Sequence, residues 1–136
     1  MMTKTMRIKV KDEVICKDTG ILYVVLFALD NKELVKIGVT TRSIEDRMSE
    51  ILVSIFKSYR EFPYCRPKRF RTTDNIYSKE AKLHEYFADK NYTPLNQFSG
   101  SSEFFDVPLD IVVKAYENLL EGKALDESIN PESQNS

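Results

Sequence analysis

From Ile21 to Leu29 the chain is almost continuously apolar and rich in β-branched and aromatic side chains, and after the polar Asp30-Asn31-Lys32 a second such run follows in Leu34-Val35-Lys36-Ile37. Two runs of this kind across a short polar turn predict a β-hairpin. Gly38 lets the chain leave the second strand. Thr40, Thr41 or Ser43 can cap a helix whose apolar residues Ile44, Met48, Ile51, Leu52 and Ile55 recur at spacings of four, three, one and three, forming one buried stripe. The stretch from Lys57 to Arg71 mixes cations with aromatics, contains Pro63 and Pro67, and is expected to end in a third strand at about Arg69 to Thr72. Asp74 or Asn75 then caps a second helix carrying Ile76, Glu80, Leu83, His84 and Phe87. Thr93 to Ser102 is rich in turn residues, Glu103 to Val107 suits a short strand, and Pro108 leads into a third helix through Ile111, Val112, Ala115, Tyr116 and Leu119.

The order β-β-α-β-α-β-α fits one compact α+β unit, with a small central antiparallel sheet of about three strands flanked by helices. Residues 19–121 form this domain. Residues 1–18 are a polar arm in which the alternation Met6-Arg7-Ile8-Lys9-Val10 allows a short edge strand or a flexible segment, and residues 122–136 are an acidic tail expected to be disordered.

A length of 136 residues accommodates one core and leaves little for a separate sequence-reading module. No apolar run nears the roughly 20 residues that cross a bilayer, and no apolar stretch follows the basic N-terminus as in a signal peptide. A cytoplasmic protein without membrane association is therefore expected. Cys16 and Cys65, with the single His84, cannot build the usual four-ligand zinc site, so both thiols are expected to be reduced. The formal charge of −1 is uneven: residues 121–136 carry −3, which leaves +2 for residues 1–120.

Chemistry enters through four short elements taken together. Gly20-Ile21-Leu22-Tyr23-Val24-Val25, Lys36-Ile37-Gly38-Val39-Thr40, Arg47 on the following helix, and Glu80 with Leu83-His84 on a later one stand in the order and spacing of the GIY-YIG nucleases. Over roughly Gly20 to Val107 the chain resembles that superfamily, more narrowly its single-domain phage and microbial branch, in which Lys-Ile-Gly replaces Tyr-Ile-Gly. The resemblance implies a β-β-α-β-α core and metal-dependent cleavage of phosphodiester bonds, most naturally in DNA, with Mg²⁺ or Mn²⁺ as the cofactor. Tyr23 would position or deprotonate the attacking water, Arg47 would hold phosphate, and Glu80 would ligate the metal.

The residue types suit that chemistry. Hydrolysis of a phosphodiester needs an activated oxygen nucleophile and compensation for charge growing on phosphate. One glutamate suffices for Mg²⁺, which keeps most of its waters and accepts phosphate oxygens. A guanidinium binds phosphate in bidentate fashion. His84, four residues after Glu80 on the same helix face, would be its neighbouring proton or hydrogen-bond partner, and each position also has a plainer reading: Tyr23 as a space-filling cross-strand aromatic, Arg47 as an i,i+3 partner of Glu50, His84 as a packed ring. Lys36 offers either a point charge for phosphate or a solvated strand lysine. Glu103 belongs to an acidic-aromatic element, Ser102-Glu103-Phe104-Phe105, that recurs in this branch and whose aromatics are expected to close the core. Asn96 is the candidate for an asparagine that many members carry.

Nucleic acid would be contacted by Arg42 and by the cation-rich stretch Lys57, Arg60, Arg66, Lys68, Arg69 and Arg71, in which Lys68, Arg69 and Arg71 are the first candidates. Tyr59, Tyr64 and Phe70 are interleaved and can stack on bases, although a solvated charged face is the ordinary use of such a run. Without a zinc finger or helix-turn-helix, sequence specificity is expected to be low or to come from a partner chain or homo-oligomer. The alternatives are a nucleic-acid-binding module of the same fold without catalysis, or a small protein-interaction domain.

Overall fold

The computed structural model describes residues 18–127; the Met6–Val10 segment and Cys16 lie outside them. Strands β1 (Gly20–Leu29) and β2 (Lys32–Thr40) form the expected hairpin. Its turn has Asp30 and Asn31 at φ 55° and 60°, the left-handed pair that matches strand twist. Then follow α1 (Ile44–Tyr59), β3 (Tyr64–Thr73), α2 (Ile76–Tyr86), β4 (Asn91–Tyr92), β5 (Phe104–Phe105) and α3 (Leu109–Leu120).

The sheet is antiparallel, in the order β3-β1-β2-β5-β4. It has five strands, against an expectation of about three. The short strand expected within Glu103 to Val107 is β5, held to two residues by its pairing with β2 at Val35 and Lys36, while β4 is unexpected: it also has two residues, too few for alternation to register in sequence, and pairs with β5. Strand β3 begins at Tyr64 rather than near Arg69. Pro67 is tolerated because β3 has β1 on one side and, among the described residues, no strand on the other, and the register shifts opposite Val24 and Val25.

Central β1 buries both faces, which explains its unbroken apolar run. Tyr23, Val25 and Phe27 meet Ile44, Met48, Ile51 and Ile55 of α1, while Leu22 and Val24 meet Leu83 of α2 and Val112, Ala115 and Tyr116 of α3. Ser43 caps α1, its hydroxyl accepting from the Asp46 amide at 3.1 Å. Neither Asp74 nor Asn75 caps α2 by side chain; Asn75 is left-handed at φ 50° and the Asp18 carbonyl accepts from the Ile76 amide at 3.0 Å. Past Gly122, the Leu125 and Glu127 carbonyls accept from the buried Asn118 amide, and Leu125 packs on the core.

Two side chains tie this frame together. The Asp30 carboxylate accepts from the Tyr59 and Tyr92 hydroxyls, each at 2.8 Å, and from the Leu95 amide at 2.9 Å, joining the hairpin turn to the end of α1 and to the segment after β4. On the other face the Tyr116 hydroxyl accepts from the Arg71 amide at 3.1 Å and donates to the Leu22 carbonyl at 2.7 Å, so it bridges β3 and β1 at the register pair next to Tyr23. Tyr116→Phe leaves both backbone groups without that partner. It is expected to lower stability by about 1–2 kcal/mol in urea denaturation; an unchanged midpoint would show that the strands close without the hydroxyl.

Candidate functional site

Antiparallel register pairs put their side chains on one face, so Phe70, Tyr23 and Gly38 form a row across β3, β1 and β2, with Lys36 two residues along β2 on the same face. Gly38 is required by the tyrosine. A Cβ there would stand 2.5 Å from the Tyr23 hydroxyl oxygen, so the phenol lies over the glycine where any other residue would displace it. Arg47, one turn into α1, donates from Nε to the Tyr23 hydroxyl at 3.4 Å and from Nη1 to Glu50 at 2.7 Å. The i,i+3 pairing of Arg47 with Glu50 is present, and its Nε also reaches the Tyr23 hydroxyl. Arg42 shares the same Glu50 oxygen at 2.8 Å.

Lys36 has no solvent exposure. The expectation of a solvated strand lysine is overturned, because β5 and the turn before it close over this part of β2. Its ammonium donates to Glu103 Oε1 at 2.5 Å and to the Gly100 carbonyl at 3.1 Å. Burial pushes the lysine below its ordinary pKa, and the Glu103 carboxylate opposes that by stabilising the charged form. Gly100 has φ 86°, and a Cβ on it would lie 2.7 Å from Lys36 Nζ. Asn91 supports the turn from behind, its amide donating to the Ser102 and Phe104 carbonyls on either side of Glu103.

Glu80 and His84 come from α2, on the other side of the sheet. β5 pairs with β2 only at Val35 and Lys36, so beyond Lys36 the outer edge of β2 has no strand beside it. His84 occupies that edge: its Nε2 lies 2.8 Å from the Ile37 carbonyl, which can only accept, so Nε2 carries the proton and donates. That nitrogen is committed to the backbone. It is 3.8 Å from Glu80 Oε2, and the His84 ring packs beside Phe105. Glu80 has a side chain 16% exposed and feels the charges of Glu103, His84, Lys36 and Arg47. Its Oε2 is buried without a hydrogen-bond partner. Burial, then the neighbouring Glu103 carboxylate, raise the Glu80 pKa.

The result is a cleft with Tyr23 and Lys36 at its floor and Arg47, Glu80 and Glu103 at its rim. Tyr23 is fully buried, and desolvation lifts its phenol to about 12 against the opposing pull of Arg47. Among the described residues no three His, Cys, Asp or Glu side chains converge as a metal cluster. The partly exposed Glu80 carboxylate, one oxygen of which has no hydrogen-bond partner among the described residues, fits an ion that brings most of its own water ligands.

The other predicted contacts separate. Arg69 donates to Glu117 of α3 and to the Lys68 carbonyl, on the face away from Tyr23. Arg71 pairs in register with Leu22, also on that face. Lys68 sits at the register shift of the edge strand. Asn96 bonds the Ser58 carbonyl near the end of α1, three turns from Arg47, and takes no part in the cleft. Sequence reasoning assigned Glu103 to structure and passed over Gly100 and Asn91. The acidic-aromatic element and the glycine in the turn-rich run were the available signals; nothing local marks Asn91.

Removing Glu103 strands a buried ammonium. Glu103→Ala is expected to destabilise the protein by about 2–3 kcal/mol, less than for a wholly buried pair because Glu103 retains some exposure, and adding Lys36→Met should restore most of the loss. Equal denaturation midpoints for the single and double variants would refute the pairing.

A comparison with protein families matches residues 20–120 to the T5orf172 domain. No match was found among curated proteins or among solved structures. The matched span runs from the first residue of β1 to the last of α3 and so holds the whole cleft. The chain belongs to the T5orf172 domain family, whose domain is associated with nuclease-like phage proteins.

Proposed function

We propose that this protein is a GIY-YIG-type endonuclease that hydrolyses nucleic-acid phosphodiester bonds, DNA before RNA, with Mg²⁺ or Mn²⁺. The observation that carries the reading is the convergence of Tyr23, Arg47 and Glu80 from β1, α1 and α2 on one cleft. Arg47 is the group suited to a phosphate oxygen: its side chain is 18% exposed, and only its Nη1 and Nε are engaged by side chains of the described residues. Lys36, already held by Glu103 and Gly100, adds a fixed charge beneath the floor rather than a mobile phosphate ligand.

Tyr23 acts as a neutral hydroxyl. A phenol near pKa 12 is scarcely ionised at neutral pH, so it cannot serve as a resting general base. Because its oxygen accepts from Arg47, its own proton is directed elsewhere, and it orients a water or phosphate oxygen. Glu80 would hold the divalent ion through the oxygen that has no protein partner, and the ion would supply positive charge to the reacting phosphate. His84 fixes the helix beside the β2 edge and screens Glu80.

The test is nicking of supercoiled plasmid with Mg²⁺ or Mn²⁺. Wild-type protein should nick, Tyr23→Phe should be about 10²-fold slower, and Arg47→Ala and Glu80→Gln slower still. Cleavage that survives both Arg47→Ala and Glu80→Gln would sink the assignment.

Glu80 also gives a prediction that needs no turnover. Its folded pKa is raised, so its contribution to stability is complete below the unfolded value near 4.5 and is lost as pH rises through the folded pKa. Without metal, Glu80→Gln should therefore match wild type at about pH 4 and be the more stable of the two at about pH 7. Mg²⁺ should raise the melting temperature of wild type but not of Glu80→Gln. Equal metal-induced shifts in the two proteins would remove Glu80 as the ligand.

A further inference from the structure

An exposed aromatic lies beside this cleft with no task in the fold. Phe70 is 48% exposed and stands in register directly across from Tyr23, hence on the cleft face of the edge strand β3. The other aromatics of the basic stretch are placed differently. Tyr64 pairs with Ala28, one position out of phase with Phe27, and so faces the opposite side. The Tyr59 hydroxyl is spent on Asp30. Phe62 stacks on Phe56 near the end of α1, more than two helical turns beyond Arg47. Of these rings, Phe70 alone is both open to solvent and next to the tyrosine.

We infer that Phe70 is a stacking platform for an unpaired base next to the reacting phosphate, so that the substrate is nucleic acid with a locally single-stranded segment. This rests on the nuclease reading of the cleft. A ring face accepts any base but is useful only when the base is out of the duplex stack. Arg66 and Arg71 are exposed cations of β3 without an ion-pair partner among the described residues, and they pair in register with Leu26 and Leu22, on the face away from Phe70. The same cations and the bulge at Lys68 oppose edge-to-edge pairing with a second copy of the chain, the other ready explanation for an exposed phenylalanine on an edge strand. The floor of the cleft argues the same way. Tyr23 and Lys36 have no exposure and Arg47 and Glu80 little, so a phosphate must come in close, which an unstacked strand can do and a regular duplex resists.

The experiment measures binding in EDTA of fluorescein-labelled DNA by full-length wild type, Phe70→Leu and Phe70→Trp, using a single strand, a duplex, and a duplex with one unpaired 2-aminopurine. Phe70→Leu should weaken binding of the single strand and the unpaired-base duplex by about 5- to 100-fold and leave the plain duplex within about twofold. Phe70→Trp should retain wild-type affinity and quench 2-aminopurine. Equal affinities for all three proteins, or a loss in Phe70→Leu that is the same on every DNA, would overturn the proposal. So would a concentration-dependent dimer in sedimentation that Phe70→Leu abolishes, since the ring would then belong to a self-interface. Plasmid nicking separates the two claims: Phe70-dependent binding without metal-dependent nicking leaves the platform and removes the nuclease, whereas nicking with Phe70-independent binding does the reverse.

Discussion

An ammonium group without solvent must find its counter-charge and its acceptors inside the protein, and Lys36 finds both in one short segment. Desolvating the charge alone would cost several kcal/mol, so the fold is stable only with Glu103 and the Gly100 carbonyl in place. That requirement draws the turn before β5 onto β2. It decides where β5 pairs, where the outer edge of β2 becomes free, and therefore where α2 can set His84 against the Ile37 carbonyl and bring Glu80 around the sheet. Gly100 serves the same end, since its left-handed backbone and missing Cβ leave the space the ammonium occupies.

Around this pair the cleft balances charges that would otherwise repel. Glu80 and Glu103 each raise the cost of ionising the buried Tyr23, and Glu103 does the same to Glu80, while Arg47 opposes both effects and Lys36 opposes the second. A cation next to the Glu80 oxygen would relieve the imbalance, since among the described residues that oxygen has no hydrogen-bond partner. Local destabilisation of this kind is characteristic of sites built to receive a ligand rather than to maximise stability.

The elements with strong local signals were legible in sequence. The hairpin, the amphipathic stripe of α1 and the proline-led start of α3 each follow from periodicity, turn chemistry and caps that act over a few residues. β4 was not, because a two-residue strand has no period and exists only through a neighbour, and β5 was expected only as a short strand within Glu103 to Val107. The start of β3 was misjudged for a related reason: Pro63 and Pro67 argue for loop until the strand is known to lie at an edge. In the cleft, Tyr23, Arg47 and Glu80 could be named from order and spacing, yet the burial of Lys36, its partner Glu103 and the support from Asn91 could not.

The sequence by itself therefore determined the hairpin and the helices and supplied the candidates for phosphate and metal chemistry, since propensity and side-chain chemistry are local properties. Only the tertiary structure decided which charge Lys36 meets, that the Tyr23 hydroxyl lies over Gly38, that Phe70 flanks it in the open, and that Arg69 and Arg71 turn to the other face. Those outcomes depend on strand register and on closure across more than sixty residues between Lys36 and Glu103. A one-residue change in register would reverse each of the strand side chains, and no local pattern encodes it.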